Sequence, residues 1–173
     1  MRKFMLMLSA VVLMSMPLLA QENYKAEIFG GYQFTRLGGS NGTNFNGWNA
    51  AATGNFNDWF GITGDVSGAY KSESGAHLHL HNFLFGPTVS YNKASKVKPF
   101  AHALFGVSHA NAGISGLASG SDNAFAMALG GGIDVGFGHN FAVRLVQADY
   151  LMTRFGSATQ NNARISVGLV ARF

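Results

Sequence analysis

Alternation between apolar and polar residues is the feature that most constrains how this chain folds. The clearest case is the last segment, where the two alternating sets are Ala163, Ile165, Val167, Leu169, Ala171 and Phe173 against Arg164, Ser166, Gly168, Val170 and Arg172. Neighbouring side chains of a β-strand point to opposite faces, so this pattern predicts a strand with one apolar face. Three other segments alternate in the same way: Tyr24–Phe34, Trp59–Tyr70 and Ala124–Phe137.

The chain after residue 20 divides into eight segments, each long enough for a tilted strand that crosses a bilayer. They are Tyr24–Phe34, Phe45–Phe56, Trp59–Tyr70, Leu78–Tyr91, Pro99–His109, Ala124–Phe137, Phe141–Met152 and Ala163–Phe173. An even number of strands suits a closed antiparallel sheet. No apolar run after residue 20 is long enough for a spanning helix. The sequence therefore predicts an all-β domain over residues 21–173, an eight-stranded antiparallel up-and-down transmembrane β-barrel.

A low charge content indicates which way the two faces point. Charged residues make up 12% of the chain, against about 25% in an ordinary soluble domain. Such a surface suits lipid better than water, so we expect apolar faces outside and polar faces inside. A soluble eight-stranded ligand carrier is the alternative, and it would place its apolar faces inside.

Residues 1–20 have the features of a cleaved signal peptide. Arg2 and Lys3 precede an apolar run, which Pro17 interrupts. Small Ala20 marks the expected cleavage position. An uncleaved anchor is the alternative, but the run is shorter than the roughly 20 apolar residues that a spanning helix prefers. The chain has no cysteine, so we expect neither a disulfide framework nor a lipid-modified cysteine.

The predicted interior faces carry charges of both signs. An eight-stranded barrel is only wide enough for its own side chains, so small residues must offset bulky ones. A charge enclosed there is tolerated when it is paired and hydrogen-bonded. We therefore expect a structural network, and no catalytic site, from the inward residues Lys25, Glu27, Asp65, Asp134, Arg144, Arg164 and Arg172.

The segment Phe141–Met152 does not alternate throughout. If Arg144 points inwards, Gln147 and Asp149 fall on the lipid side. Either a β-bulge shifts the register, or the strand has already left the hydrocarbon at that point. The sequence leaves both interpretations open.

Aromatic residues concentrate near the ends of the predicted strands, as in the interfacial girdles of membrane barrels. They are Tyr24, Tyr32, Phe34, Phe45, Trp48, Phe56, Trp59, Phe60, Tyr70, Tyr91, Phe137, Phe141 and Phe173. Short connections at 57–58 and 138–140 alternate with longer ones at 36–44 and 110–123. This predicts periplasmic turns, external loops and both chain ends in the periplasm, although the segment 92–98 is long for a turn.

These features together resemble the small outer-membrane β-barrels of the OmpA and OmpX type. The hairpin at 56–61, the Phe85-Gly86-Pro87 step and Pro99-Phe100 are similar to that family. The resemblance implies location in the outer membrane, contact with its lipid and lipopolysaccharide, and delivery by the barrel assembly machinery. It also implies that Phe173, the terminal aromatic residue, is part of the assembly signal. The peptidoglycan-binding domain of longer relatives is not expected.

His77, His79 and His81 are the residues most suggestive of metal chemistry. Alternate positions of a strand place three imidazoles on one face, where neighbouring pairs can share a zinc or copper ion. Solvated histidines at a strand end are the simpler interpretation, so we assign neither a metal nor a cofactor. Lipid-facing Phe83 and Phe85 continue the same face, which places the histidines above the membrane at the outer rim.

Ser108-His109 loosely resembles the active-site strand of outer-membrane lipid A deacylases. That family places its serine two residues after the histidine, and here Asn111 stands at that position. Ser108 falls on the opposite face from His109, so the general-base arrangement of a serine hydrolase is missing. We therefore expect no enzyme.

Net charge adds little about partners. It is +4, and loss of Arg2 and Lys3 with the leader leaves 12 − 2 = 10 basic against 8 acidic side chains. No basic cluster is present, which argues against nucleic-acid binding. The favoured function is a structural or surface-interaction role in the envelope, and the barrel is expected to be a monomer. The alternatives are a narrow pore or small-solute-binding barrel and a lipid-modifying enzyme.

Overall fold

The computed structural model describes residues 24–38, 43–73, 76–91, 96–114, 120–155 and 158–173. The strands are β1 (Ala26–Leu37), β2 (Asn44–Asn55), β3 (Phe60–Glu73), β4 (Ala76–Ser90), β5 (Val97–Ile114), β6 (Gly120–Phe137), β7 (Phe141–Phe155) and β8 (Ala158–Arg172). Each strand pairs antiparallel with the next, and β8 pairs with β1, which closes the barrel. The predicted eight-stranded barrel is confirmed. The predicted signal peptide at 1–20 lies outside the described residues.

Residues near the two chain ends lie together at one end of the barrel. We call the end with Tyr24 and Phe173 the terminal end and the opposite one the distal end. At the terminal end, Phe173 N donates to Ala26 O (2.8 Å) and Ala26 N donates to Phe173 O (3.1 Å). Within the described ranges, no helix has the length and apolar character needed to cross a membrane.

The strands run further at the distal end than the sequence predicts. β5 continues to Ile114 and β6 begins at Gly120, so most of the connection predicted at 110–123 is paired strand. Backbone pairing does not require apolar side chains, and the ladder therefore continues through Asn111 and Asn123. The predicted contrast between long loops and short turns is wrong at this connection.

Two hydrogen bonds to the side chain of Asn57 shape the turn at 56–59. Oδ1 of Asn57 accepts hydrogen bonds from the backbone N–H groups of Trp59 (3.1 Å) and Phe60 (2.8 Å). Asparagine favours turns because its short side chain can bond to the backbone two or three residues on. The turn at 138–140 uses Gly138, whose φ of 72° suits glycine.

The outer surface of the barrel is apolar, and its interior is largely polar. Phe85 and Leu169 expose about three-fifths of their surface (61% and 60%), whereas Gln33, Asp65 and Arg164 are buried. Apolar residues also fill parts of the interior, as where Leu84, Leu104 and Leu151 pack together or Phe45 packs with Ala69 and Leu80. Phe45 therefore does not belong to the predicted aromatic girdle. The arrangement of faces is the reverse of that in a soluble ligand carrier.

Candidate functional site: the charged interior

Lys98 and Glu27 form an ion pair across the barrel. Nζ of Lys98 lies 2.5 Å from Oε1 of Glu27, and both side chains are buried. Lys98 is on β5 and Glu27 on β1, two strands that face each other in the closed order of eight. Nε of Arg172 lies 3.4 Å from the same carboxylate oxygen. The ion pair therefore spans the interior near the terminal end.

Arg164 on β8 is the centre of a second cluster. Its Nη1 lies 2.8 Å from Oδ1 of Asp65 on β3, and its Nη2 lies 2.6 Å from Oδ2 of Asp149 on β7. Asn49 donates to the other oxygen of Asp65 (2.8 Å), and Nε2 of His102 lies 2.8 Å from the other oxygen of Asp149. This fully buried guanidinium thus has the paired and hydrogen-bonded surroundings that a buried charge requires.

Arg144 and Asp134 connect the two clusters, since Nη2 of Arg172 lies 3.8 Å from Oδ2 of Asp134. Its Nε and Nη2 donate to both carboxylate oxygens of Asp134, at 2.8 and 3.1 Å, in a bidentate pair. Its Nη1 donates to Oε1 of Gln147 (2.7 Å). Nε2 of Gln147 in turn donates to Asp149 (2.8 Å). A continuous chain of polar contacts therefore runs from the terminal end towards mid-height.

Two aromatic rings hold the Arg144 guanidinium in place. Its Cζ lies 4.3 Å from the ring centroid of Phe29 and 4.2 Å from that of Phe100. Gly132 makes room for this arrangement, since a Cβ there would lie 2.9 Å from the Phe100 ring. A planar guanidinium stacks well on aromatic faces, so these rings fix the orientation of the Arg144 side chain.

A β-bulge in β7 brings its polar residues inside. The register of β7 shifts against both neighbouring strands between Arg144 and Gln147. Leu145 and Val146 are both exposed on the outer surface, whereas Arg144, Gln147 and Asp149 are all buried. Of the two interpretations left open by the sequence, the structure shows the bulge.

Most of the inward charges proposed from the sequence meet in this network. They are Glu27, Asp65, Asp134, Arg144, Arg164 and Arg172. The placement of Lys25 was wrong: it precedes β1 and is exposed, because the alternation of a strand does not extend past its end.

The prediction from sequence missed Lys98 and His102. Both lie on the inward face of β5, because they stand an even number of positions before buried Leu104 in the same strand. The alternation of β5 was therefore a signal for both. Lys98 was overlooked because it was assigned to the connection before the strand.

The charges named in this network balance. The basic members are Lys98, Arg144, Arg164 and Arg172, and the acidic members are Glu27, Asp65, Asp134 and Asp149. The network encloses a small cavity of about 20 Å³, and Glu27, Lys98 and Arg144 are among the residues that line it. That is room for about one water. The charged part of the interior is thus compact, and its basic and acidic groups are paired.

Comparison with known proteins identifies the family. A family profile described as the outer membrane protein beta-barrel domain matches residues 6–173. The chain belongs to this family of outer-membrane β-barrels. No curated protein matches the sequence of this outer-membrane barrel.

Solved structures share the fold of this outer-membrane barrel at low sequence identity. Neisserial surface protein A has a TM-score of 0.69 at 15% identity, over 86% of this chain and 97% of that one. Ail, the attachment invasion locus protein of Yersinia pestis, has a TM-score of 0.64 at 20% identity, over 87% and 99%. The N-terminal barrel of Pseudomonas aeruginosa OprF has a TM-score of 0.54 at 13% identity, over 87% and 98%.

Location in the outer membrane explains the exposed apolar surface. Aromatic residues lie near both strand ends on this outward surface, with Phe56 and Trp59 at the terminal end. Towards the distal end, Trp48 Nε1 donates to the Tyr70 hydroxyl (3.1 Å), and Tyr32 donates to Oδ1 of Asn46 (2.6 Å). Rings with a polar group suit the headgroup region of a bilayer.

The outer-membrane barrel carries His79 and His81 on the outward face of β4. Their rings meet Tyr70 edge-on, with centroids 5.2 and 5.7 Å from that of the tyrosine. The side chain of His77 lies outside the described residues. Among the described residues, no group of three or more His, Cys, Asp or Glu side chains could hold a metal ion.

Ser108 and His109 lie on opposite faces of β5. Ser108 is completely buried inside the outer-membrane barrel. Nδ1 of His109, on the outer face, lies 2.7 Å from Oδ1 of Asn123. This geometry separates the hydroxyl from the imidazole, so the pair lacks the contact that nucleophilic catalysis requires.

Proposed function

We propose that this protein is a closed, non-enzymatic barrel with a structural or surface-interaction role in the outer membrane. The observation that carries the proposal is that ion pairs cross the interior at two heights. Lys98 on β5 reaches Glu27 on β1, and Arg164 on β8 reaches Asp65 on β3. Neither pair joins neighbouring strands, so both occupy the space that a pore requires.

Opening the interior is energetically costly. Removing one partner of a buried ion pair costs about 3–5 kcal/mol because it leaves an uncompensated charge, and a solute that separates such a pair leaves two. A solute passing through has to disturb Lys98–Glu27 and the Arg164 cluster. The Arg144–Asp134 pair connects these two, through Arg172 on one side and Gln147 on the other. The alternative of a narrow pore or small-solute-binding barrel is therefore disfavoured.

The surface of the distal end supports a role in interaction. Its outward strand positions carry exposed polar residues, namely Arg36, Asn46, Asn111, Asn123 and Arg154. Arginine pairs well with phosphate, so Arg36 and Arg154 suit contacts with lipopolysaccharide in the outer leaflet. Insertion of the barrel by the assembly machinery and a monomeric state are part of the same proposal.

Conductance across planar bilayers tests whether the barrel is closed. We expect no regular current steps from the wild type or from Lys25→Ser, which alters only an exposed residue. The matched interior variant is Glu27→Ser with Lys98→Ser, which removes both partners of one crossing pair. Current steps in the wild type that change in the interior variant, but not in Lys25→Ser, would show a conducting lumen and overturn the proposal.

Lipid chemistry tests the enzyme alternative. Purified, folded protein is incubated with lipid A and with phospholipid, and released fatty acid is measured by mass spectrometry. We expect no release above that of buffer. Release that disappears in both Ser108→Ala and His109→Ala would identify a hydrolase in spite of the separation of these residues.

A further inference from the structure

A groove on the outward surface lies between β1 and β7 near the distal end. Arg36 on β1 and Tyr150 on β7 are both direct cross-strand partners of Ala163 on β8, and all three are exposed. Because the alanine side chain is short, the two long side chains form walls on either side of it. Asn161, the next outward residue of β8 towards the distal end, also lines this space of about 280 Å³. We call it the Arg36 groove.

Hydrogen bonds fix the side chains and the backbone of the Arg36 groove. The Tyr150 hydroxyl donates to Oδ1 of Asn161 (2.7 Å). Because that oxygen accepts, the Asn161 side chain keeps its two N–H groups as donors. Gly38 lines the groove just after β1, and its N–H donates to Oδ1 of buried Asn162 (3.2 Å). A Cβ on Gly38 would collide with the backbone oxygen of Asn161, so glycine lets the chain stay this close to β8.

The charge of the Arg36 groove is positive. Of the described residues that line it, Arg36 alone is charged, and none of the ion pairs among the described residues includes Arg36. The next outward charge on β7 is also an arginine, Arg154, which pairs across the strands with Thr159 on β8. A guanidinium matches the oxygens of a phosphate in a bidentate arrangement. The groove therefore favours an anion with several oxygens, such as a phosphate.

Apolar side chains begin directly below the groove, on the side of the terminal end. Ile165, Val167 and Leu169 continue the outward row of β8 from Ala163, and all three are exposed. This row belongs to the apolar surface that faces lipid in an outer-membrane barrel. A positive groove above an apolar row matches a molecule with an anionic headgroup and an acyl chain, whereas inorganic phosphate would use the groove alone.

We propose that the Arg36 groove binds one membrane lipid that carries a phosphate in its headgroup. The phosphate pairs with the Arg36 guanidinium, and the Asn161 amide donates to another of its oxygens. An acyl chain of the lipid follows the apolar row of β8. This inference deepens the surface-interaction role proposed above and rests on it, because it names the chemistry of a partner at the same end of the barrel.

Native mass spectrometry of folded protein in a neutral detergent tests the proposal by counting bound lipids. The probe is dimyristoyl phosphatidic acid, and dimyristoylglycerol has the same chains without the phosphate. We expect the wild type to bind one molecule of phosphatidic acid, and to bind dimyristoylglycerol about 10–100-fold more weakly, the range expected for a hydrogen bond to a charged group. Inorganic phosphate in excess should not displace the lipid, since it has no acyl chain.

Two variants alter the groove in different ways. Arg36→Gln removes the charge and should weaken binding of phosphatidic acid by about 10–100-fold. Ala163→Phe keeps the charge but fills the floor of the groove, and it should weaken binding as well. The matched controls are Arg154→Gln, which removes an exposed arginine outside the groove, and Ala101→Phe, which places the same ring at an exposed position of β5. Both controls should bind as the wild type does.

Mobility on unheated gels verifies that each variant is folded, so that weaker binding is not loss of structure. Equal binding of phosphatidic acid and dimyristoylglycerol by the wild type would show that phosphate is not recognised and overturn the proposal. Displacement by inorganic phosphate would show an anion site whose occupant is not a lipid. Equal effects of Arg36→Gln and Arg154→Gln would indicate attraction by the general charge of the surface and also overturn it.

Failure of this inference is distinguishable from failure of the proposed function. Absence of lipid binding in a barrel that conducts no current and releases no fatty acid would overturn the lipid site and leave the closed, non-enzymatic barrel standing. Current steps from the lumen would overturn the closed barrel, whatever the groove binds.

Discussion

Leu145 and Val146 are adjacent in β7, yet both side chains point out of the barrel, with 56% and 40% of their surface exposed. The bulge at this pair changes which alternate residues of the strand point inwards: the even-numbered ones before it and the odd-numbered ones after it. Residues before and after it can therefore face the same interior, which is how Arg144, Gln147 and Asp149 come to form one chain of hydrogen bonds. The charged interior thus depends on two apolar residues whose own side chains are exposed on the outer surface.

Cysteine labelling tests the bulge, and the chain has no cysteine of its own. We expect Leu145→Cys and Val146→Cys both to react in vesicles with a thiol reagent dissolved in the bilayer. Ala142→Cys, whose side chain position is fully buried inside the barrel, should not react. Reaction of only one of the two adjacent cysteines would indicate a regular strand and contradict the bulge.

Replacing Arg164 should destabilise the barrel more than replacing any exposed arginine. Arg164→Met leaves Asp65 and Asp149 without their shared partner, at a cost of about 3–5 kcal/mol in the free energy of unfolding. Urea unfolding in lipid vesicles, followed by tryptophan fluorescence, measures the change.

Arg154→Met is the matched control for this prediction, because Arg154 is an exposed residue of β7. Its unfolding free energy should stay within about 0.5 kcal/mol of the wild type. Replacing the two carboxylates as well, with Asp65→Asn and Asp149→Asn in the Arg164→Met background, should recover part of the loss, because neither carboxylate that pairs with Arg164 is then left buried without it. Equal stabilities for the two arginine variants would show that the buried pairing does not stabilise the fold.

Gly130 is required by the packing around Asp149. A Cβ at Gly130 would lie 2.2 Å from Oδ1 of Asp149 and 2.3 Å from the backbone oxygen of Ala148. Gly130→Ala must therefore displace the carboxylate that pairs with Arg164, and we expect a loss of about 1–3 kcal/mol in vesicle unfolding experiments. Gly64→Ala provides the comparison, since a Cβ there meets no atom within 4 Å. A Gly130→Ala protein as stable as Gly64→Ala would contradict the assigned position of Asp149.

The alternation of side chains was sufficient to predict the strands and much of the interior. Glu27, Asp65 and Arg164 were assigned correctly to inward positions because each lies in an uninterrupted alternating run. Asp149 could not be assigned, because the interrupted alternation of its segment fits a bulge as well as a strand that has already left the hydrocarbon.

Which charges meet was also beyond the sequence. The contact between Arg164 and Asp65 joins β8 to β3, and the tilt and stagger of the strands bring such residues to one height. Lys98 illustrates a different difficulty, since the proline beside it suits a turn as well as the start of a strand. Only the closed geometry shows that it faces Glu27.

Phe173 should matter for assembly in cells more than for the stability of the finished barrel. Its backbone N and O bond to Ala26, and these bonds remain in Phe173→Ala, so refolding into detergent should match the wild type. In cells we expect less of the variant in the outer membrane, measured as the heat-modifiable form on gels of membrane fractions. Phe141→Ala is the control, because Phe141 is also an exposed aromatic residue at the terminal end. An equal reduction for both variants would mean that loss of any aromatic ring at this end has the same effect, and Phe173 would then carry no separate assembly signal.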